Sequence, residues 1–261
     1  MTKIDQVSPH FARIFDYWLS GKDNYGIDQE VGDAVSAVLP EAVDAALHNR
    51  AFLCRAVHYL AAEAGIRQFL DIGCGMPGED NTHEVAQRII PQARVVYVDN
   101  DPLVLAHARA LLTSSPEGSC DHVDADARDA ARILTEASRT LDLGQPIAVM
   151  MLGVLNHLDD LDEAWAAVQQ LLALLAPGSH LVITHPTAEL HGDRVHQAMR
   201  LAMDLGCGPI VARSLDEIAS FFVGLEVLEP GVVPCSRWRP DPWVDAPAVL
   251  QYCGVARKAA P

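Results

Sequence analysis

The stretch Asp71-Ile72-Gly73-Cys74-Gly75-Met76-Pro77-Gly78 follows an apolar run, Gln68–Ile72, with the character of a buried strand. Glycines placed there let a ligand approach the backbone at the strand's carboxyl end, where open α/β sheets bind their ligands. Gly73, Gly75 and Gly78 satisfy the spacing of a dinucleotide fingerprint, and Asp99 stands 21 residues beyond Gly78 as a ribose acid. Electrostatics argue against a dinucleotide. Its pyrophosphate would rest on the N-terminus of the next helix, where Glu79 and Asp80 stand and no Lys or Arg follows before Arg88. Two unit charges ~4 Å apart at an effective dielectric of ~20 repel by about 4 kcal/mol, which cancels much of the helix dipole's attraction.

The same residues suit a ligand that carries no phosphate and is cationic, such as S-adenosylmethionine. Asp71 holds its ammonium group, directly or through water. Gly73 and Gly75 let the methionine tail lie against the backbone. Asp99, ending the second strand with Asn100 beside it as a further cofactor contact, accepts both ribose hydroxyls. Asp126, just past the third strand, accepts the adenine amino group. Each acid alone reads equally well as a turn cap; three at the ends of three successive strands make a coherent site.

The elements that must position these residues are legible from periodicity. Phe11, Ile14, Phe15, Trp18 and Leu19 fall on one face of a helix ending near Gly21. Asp28 is placed to cap a second helix running to Leu39, and a third spans about 41–64 and ends at Gly65. From residue 66 strands alternate with helices. Strands are expected at Gln68–Ile72, Arg94–Asp99, His122–Ala125, Ile147–Leu152, His180–Thr184, Leu225–Leu228 and Val249–Ala256. Helices are expected near 82–90, 102–113, 128–139 and 161–176, with a further one after 186. Asn81 with Glu84 and Ser214 with Glu217 read as capping boxes, and Asp101-Pro102 as an N-cap with proline at N1. Such alternation implies a mostly parallel sheet covered on both faces. The expected layout is a helical N-terminal cap over residues 1–65 on one α/β domain over 66–261.

Composition limits the partners. The 261 residues are 50% hydrophobic, with 19 Lys+Arg against 35 Asp+Glu, a net charge of −16. That surplus of acid disfavours non-specific grip on nucleic acid, which needs Lys/Arg to neutralise phosphates, and docking on anionic membranes. The longest clean apolar stretch, Ile147–Leu155, is half the ~20 residues of a spanning helix, and Met1 to Gln6 lack the apolar core of a signal peptide. Six cysteines without a CxxC pair read as reduced thiols of a cytoplasmic protein.

The run from Gly65 to Gly73, the segment Asn81-Thr82-His83-Glu84-Val85-Ala86-Gln87 and the run from Ala93 to Pro102 resemble the actinobacterial S-adenosyl methyltransferase family, long catalogued as a domain of unknown function. So do Ala12-Arg13-Ile14-Phe15-Asp16-Tyr17, Gly21-Lys22-Asp23-Asn24-Tyr25, Asn49-Arg50-Ala51-Phe52-Leu53, the Pro-Gly turn at 230–231 and the ending Gly254-Val255-Ala256-Arg257-Lys258. The resemblance covers nearly the whole chain. It implies a Rossmann-like seven-stranded methyltransferase sheet with a final antiparallel strand, and S-adenosylmethionine as cofactor; it supplies no acceptor.

Further candidates follow from position. The turn at 21–25 is either a lid whose Asn24 and Tyr25 close over the cofactor or substrate, or a helix-ending loop. Tyr17 and Arg13, one helical turn apart, would face the same pocket. Arg50 either pairs with the cofactor carboxylate or is a solvated helix arginine. Gly153-Val154-Leu155-Asn156-His157-Leu158 follows the fourth strand, which in methyltransferases borders the methyl group. Gly153 is then a cofactor contact, and His157 is either a general base for the acceptor or pocket lining. His185 is a secondary candidate for substrate contact. His180 and His185 lie five steps of ~3.3 Å apart along one strand, too far to share a metal, and no metal site is expected. The Arg/Trp run at 236–243 reads as a rigid surface loop or an oligomer contact. The leading expectation is a methyltransferase acting on a small-molecule substrate. The alternative is a non-catalytic S-adenosylmethionine-binding or regulatory protein; a nucleotide-dependent oxidoreductase is disfavoured by Glu79 and Asp80.

Overall fold

The computed structural model describes residues 7–260, so the reading of Met1 to Gln6 lies outside the described residues. Helices α1 (Phe11–Trp18), α2 (Gly26–Val38) and α3 (Glu41–Ala62) come first. Then follow β1 (Gln68–Ile72), α4 (Thr82–Ile89), β2 (Arg94–Asp99), α5 (Pro102–Leu111), β3 (Ser119–Asp124), α6 (Ala130–Ala137), β4 (Ala148–Leu152), α7 (Leu161–Ala173) and β5 (His180–Pro186). The chain closes with α8 (Asp193–Asp204), α9 (Leu215–Ser220), β6 (Glu226–Val227), β7 (Val233–Pro234) and β8 (Gln251–Arg257).

The sheet runs β3-β2-β1-β4-β5-β8-β6. β1 to β5 pair in parallel, and β8 is antiparallel to β5, β6 and β7. Seven strands are expected from the sequence and eight are present. The additional one is β7, which pairs with Tyr252 and Cys253 while β6 pairs with Ala256 and Arg257 of the same strand. Glu229-Pro230-Gly231 splits this edge: proline cannot donate to a ladder, and Gly231 turns the chain at φ 91°.

Strand alternation divides the core between the two faces of the sheet. Leu70 and Ile72 of β1 join Val96, Val98, Leu181 and Ile183 beneath α6 and α7. Phe69 faces the other way, with Val95, Met150 and Val182, against Phe52, Ala56, Val57 and Leu60 of α3. The third helix therefore shares the sheet's core, whereas α1 and α2 bury Ile14, Val31 and Val35 against Val195 and Ala198 of α8.

Both expected capping boxes form, and Asp101 accepts from Leu103 N at 2.8 Å. Asp28 is corrected from N-cap to the third helical residue. Tyr25 occupies the cap position, and the buried Asp28 carboxylate accepts from the backbone N of Tyr25 and of His10 and from Arg13 Nε. Breaking such a buried pair costs about 3–5 kcal/mol, so it fixes how α1 enters the fold. Among the described residues no helix is long and apolar enough to cross a membrane.

Candidate active site

β1 lies between β2 and β4, so the strand order reverses beside it, and a crevice opens at the carboxyl ends of the strands. The cavity there has a volume of about 1320 Å³, above the usual ~300–1,000 Å³ of a pocket for one small ligand. It holds room for a cofactor and an acceptor together. Asp71, Asp99 and Asp126 all reach its wall, with Gly73, Gly75, Asn100, Gly153, Arg50 and His157.

Each acid sits in a different environment. Asp71, 4% exposed, accepts from Thr82 Oγ1 at 2.6 Å. Burial pushes its pKa up to about 6, against the downward pull of that hydrogen bond and of Arg50. Asp99 accepts from Gly75 N at 3.1 Å through one oxygen and from Asp101 N at 2.9 Å through the other. Burial raises its pKa, partly offset by those two donors. A carboxylate has about four lone-pair sites; Oδ1 retains one for a hydroxyl, while on Oδ2 a ribose hydroxyl would replace the weak Cys74 thiol contact at 3.9 Å. Asp126 is clamped by Arg128 at 2.8 and 2.7 Å, which holds its pKa below the usual carboxylate range.

The glycines are required for two different reasons. Gly73 and Gly75 have φ 69° and 65°, the left-handed region. A Cβ on Gly73 would lie 2.6 Å from the Val154 side chain, so the loop after β1 and the turn after β4 touch only because residue 73 has none. A Cβ on Gly75 would meet no protein atom within 4 Å.

His157 occupies the turn after β4, between the ring of Phe11 (centroids 4.9 Å apart) and Pro209. Its Nδ1 lies 2.9 Å from the Pro209 carbonyl, which can only accept, so the proton is on Nδ1 and Nε2 carries the lone pair. Burial lowers the ring's pKa, so it is neutral near pH 7. The Asn156 amide nitrogen faces Nε2 at 3.3 Å, a long contact.

Tyr17, Arg13 and Asn24, all expected at the site, lie outside the cavity lining; Arg13 is buried on Asp28. Tyr17 turns to Asp33, donating at 2.8 Å, and Asn24 donates to Asp16 at 2.8 Å and accepts from Gln29. Lys22 and Asp23 of the same turn do line the cavity, whereas Tyr25 does not. His185 is fully buried and bonded to Arg213, away from the lining, which corrects its reading as a candidate for substrate contact. Asn49, not among the candidates from sequence, has its Oδ1 buried in the cavity wall with no hydrogen-bond partner among the described residues. Its signal in the sequence is its place beside Arg50 in the motif Asn49-Arg50-Ala51-Phe52-Leu53.

This donor and acceptor set fits S-adenosylmethionine. Ten Asp/Glu side chains line the cavity against Lys22, Arg50 and Arg128, a field that favours a cation. The orphaned Asn49 oxygen has acceptor capacity that no described residue uses. The open space before Gly75 allows backbone approach. Among the described residues Arg50 bonds only neutral oxygens, at Glu79 and Asn81, leaving its charge for a carboxylate.

A sequence profile described as S-adenosyl methyltransferase matches residues 1–259. No curated protein matches the chain. Among solved structures, a DUF574 family protein from Streptomyces avermitilis MA-4680 is 43% identical, with TM-score 0.93, over 98% of this chain and 100% of that one. A protein from Thermobifida fusca YX, described provisionally as a methyltransferase, is 40% identical with TM-score 0.89 over 97% and 96%. A SAM-dependent methyltransferase from Anabaena variabilis ATCC 29413 shares the fold at 14% identity, with TM-score 0.53 over 99% of both chains. The chain belongs to the S-adenosyl methyltransferase family and is an S-adenosylmethionine-dependent methyltransferase.

Proposed function

We propose that the acceptor is a small molecule with an O–H or N–H group, and that His157 Nε2 receives its proton. The observation that carries this reading is the Nδ1–Pro209 hydrogen bond, which leaves a neutral imidazole with its lone pair on Nε2. An incoming hydroxyl or amine displaces the long Asn156 contact at that atom. Phe11, Phe15 and Leu19 of the first helical turns supply an apolar wall for the acceptor's body, and α1 with the turn at 21–25 acts as the cap. The acid-rich lining disfavours polyanionic acceptors such as nucleic acid.

In this reading Asp99 binds the ribose hydroxyls and Asp126 the adenine amino group. Asp71 and Asn49 bind the ammonium, and Arg50 pairs with the carboxylate. Gly73, Gly75, Asn100 and Gly153 provide close backbone surface. When bound, S-adenosylmethionine supplies a methyl group on a sulfonium sulfur. Methyl transfer demands chiefly in-line positioning, so Phe11 and Pro209 contribute by fixing where the acceptor and His157 meet. Tyr17 and Asn24 take no direct part. Six free thiols suit a reducing compartment, and we place the protein in the cytoplasm.

The test is the pH dependence of cofactor-dependent methyl transfer. An acid limb below the ordinary imidazole range, absent from His157→Ala, is expected; the same profile in both proteins contradicts the base role.

A further inference from the structure

The segment between α8 and α9 is neither helix nor strand, and it is bonded to the turn that carries His157 at every second residue. Pro209 O takes the His157 Nδ1 proton at 2.9 Å. Val211 N donates to Asn156 O at 2.9 Å. Arg213 then closes both ends of the turn, with Nη1 donating to Leu155 O at 2.8 Å and Nη2 to Leu158 O at 2.6 Å. Residues 209, 211 and 213 of this single strap thus grip four consecutive residues, 155 to 158.

Arg213 is 4% exposed. Its third recorded side-chain hydrogen bond goes to His185 Nε2, 2.7 Å from Nη1. His185 Nδ1 lies 2.8 Å from Pro186 O, so that ring carries its proton on Nδ1 and accepts at Nε2. Burial holds His185 neutral, with a pKa lowered to about 3. The Phe221 ring lies 5.7 Å below the guanidinium. The cation is thus bonded by two carbonyls and an imidazole rather than by a carboxylate. A planar fork reaches three acceptors at fixed angles, which an ammonium cannot do.

We propose that Arg213 is a positioning residue for methyl transfer: by bridging Leu155 O and Leu158 O it holds the His157 ring on Pro209, keeping the Nε2 lone pair available. This rests on the reading of His157 as the proton acceptor. His185 serves the same purpose at one remove, as the neutral acceptor that orients the guanidinium. Arg213 touches neither cofactor nor acceptor.

The tautomer measurement needs no acceptor. Long-range ¹H–¹⁵N spectra of the ¹⁵N-histidine-labelled protein, bound to S-adenosylhomocysteine, read the tautomer of each ring; His157→Gln assigns the His157 signal. The wild type is expected as the pure Nδ1–H form. Arg213→Met is expected to shift toward the Nε2–H form that free imidazole prefers, while S-adenosylhomocysteine affinity stays within about twofold. Arg213→Lys, which keeps the charge but not the fork, is expected between the two. A pure Nδ1–H ring in Arg213→Met overturns the proposal, and should that variant not fold, a wild-type tautomer in Arg213→Lys does the same. A wild-type ring in the Nε2–H form overturns both this proposal and the base reading. Normal turnover in His157→Ala with a mixed tautomer in Arg213→Met removes the base reading and with it the catalytic purpose of the clamp, leaving the clamp itself.

Discussion

Gly75 N donates to Asp99 Oδ2 at 3.1 Å, tying the loop after β1 to the carboxylate that ends β2. Asp101 N holds the other oxygen. The carboxylate that is to receive a ribose is therefore oriented before any ligand arrives, and it orients the loop on which the methionine tail is to lie. Preorganisation of this kind removes ordering costs from binding.

Asp99→Asn is expected to weaken S-adenosylmethionine by about 1.5–3 kcal/mol, the range for hydrogen bonds to a charged group, or roughly 10- to 150-fold in Kd. The amide keeps an acceptor for only one of the two backbone donors and sets its NH2 against the other, so a thermal melt accompanies the titration to separate lost binding from a loosened loop. Calorimetric titration checks it; unchanged affinity reduces Asp99 to a loop tether.

Asp71 gives the binding a pH dependence. A cation binds its ionised form, and that form is lost as pH falls through about 6. Affinity is expected to be flat above pH 7 and to drop by up to about tenfold per unit below pH 6. Asp71→Asn loses affinity at pH 7 but lacks this acid dependence. The stability effect has the opposite sign: a carboxyl raised in the folded state binds more protons folded than unfolded, so it stabilises at acid pH and that contribution is lost as pH rises through 6. The unliganded Asn variant is expected to melt higher than wild type at pH 8, with the gap closing toward pH 4.

Gly73→Ala and Gly75→Ala separate strain from ligand approach. Both place alanine at positive φ, costing about 1–2 kcal/mol each. Only the first also drives a methyl group to 2.6 Å from Val154. Thermal melts are expected to show Gly73→Ala destabilised well beyond Gly75→Ala, while Gly75→Ala loses cofactor affinity out of proportion to its stability loss. Equal melting temperatures contradict the close approach at Val154.

His157→Ala is expected to leave cofactor affinity within about 0.5 kcal/mol and to cut turnover about 10²–10⁴-fold. Single-turnover kinetics with saturating cofactor measure it. Unimpaired turnover makes the ring lining only.

Much of this arrangement was legible because its signals are local. β1 and β2 are short apolar runs with an Asp at or next to the carboxyl end, and these acids reach one cavity as their spacing implied. Residues whose partners are distant in sequence escaped. Tyr17 shares a helix with lining residues, yet its hydroxyl is claimed by Asp33 on α2, which no helical face reveals. Asp28 looks like an N-cap from its neighbours, but its ion pair comes from Arg13. The 209–213 strap has neither helical nor strand periodicity, and its bonds run to residues some 50 positions earlier. β7 is two residues long, below what alternation can mark.

The most direct measurement of the central claim is transfer from methyl-labelled S-adenosylmethionine into a size-fractionated cell extract. Label is expected in the low-mass fraction, matched by S-adenosylhomocysteine, and lost with Asp99→Asn at limiting cofactor. Label confined to protein or nucleic acid, or tight cofactor binding with no transfer at all, would contradict a small-molecule methyltransferase.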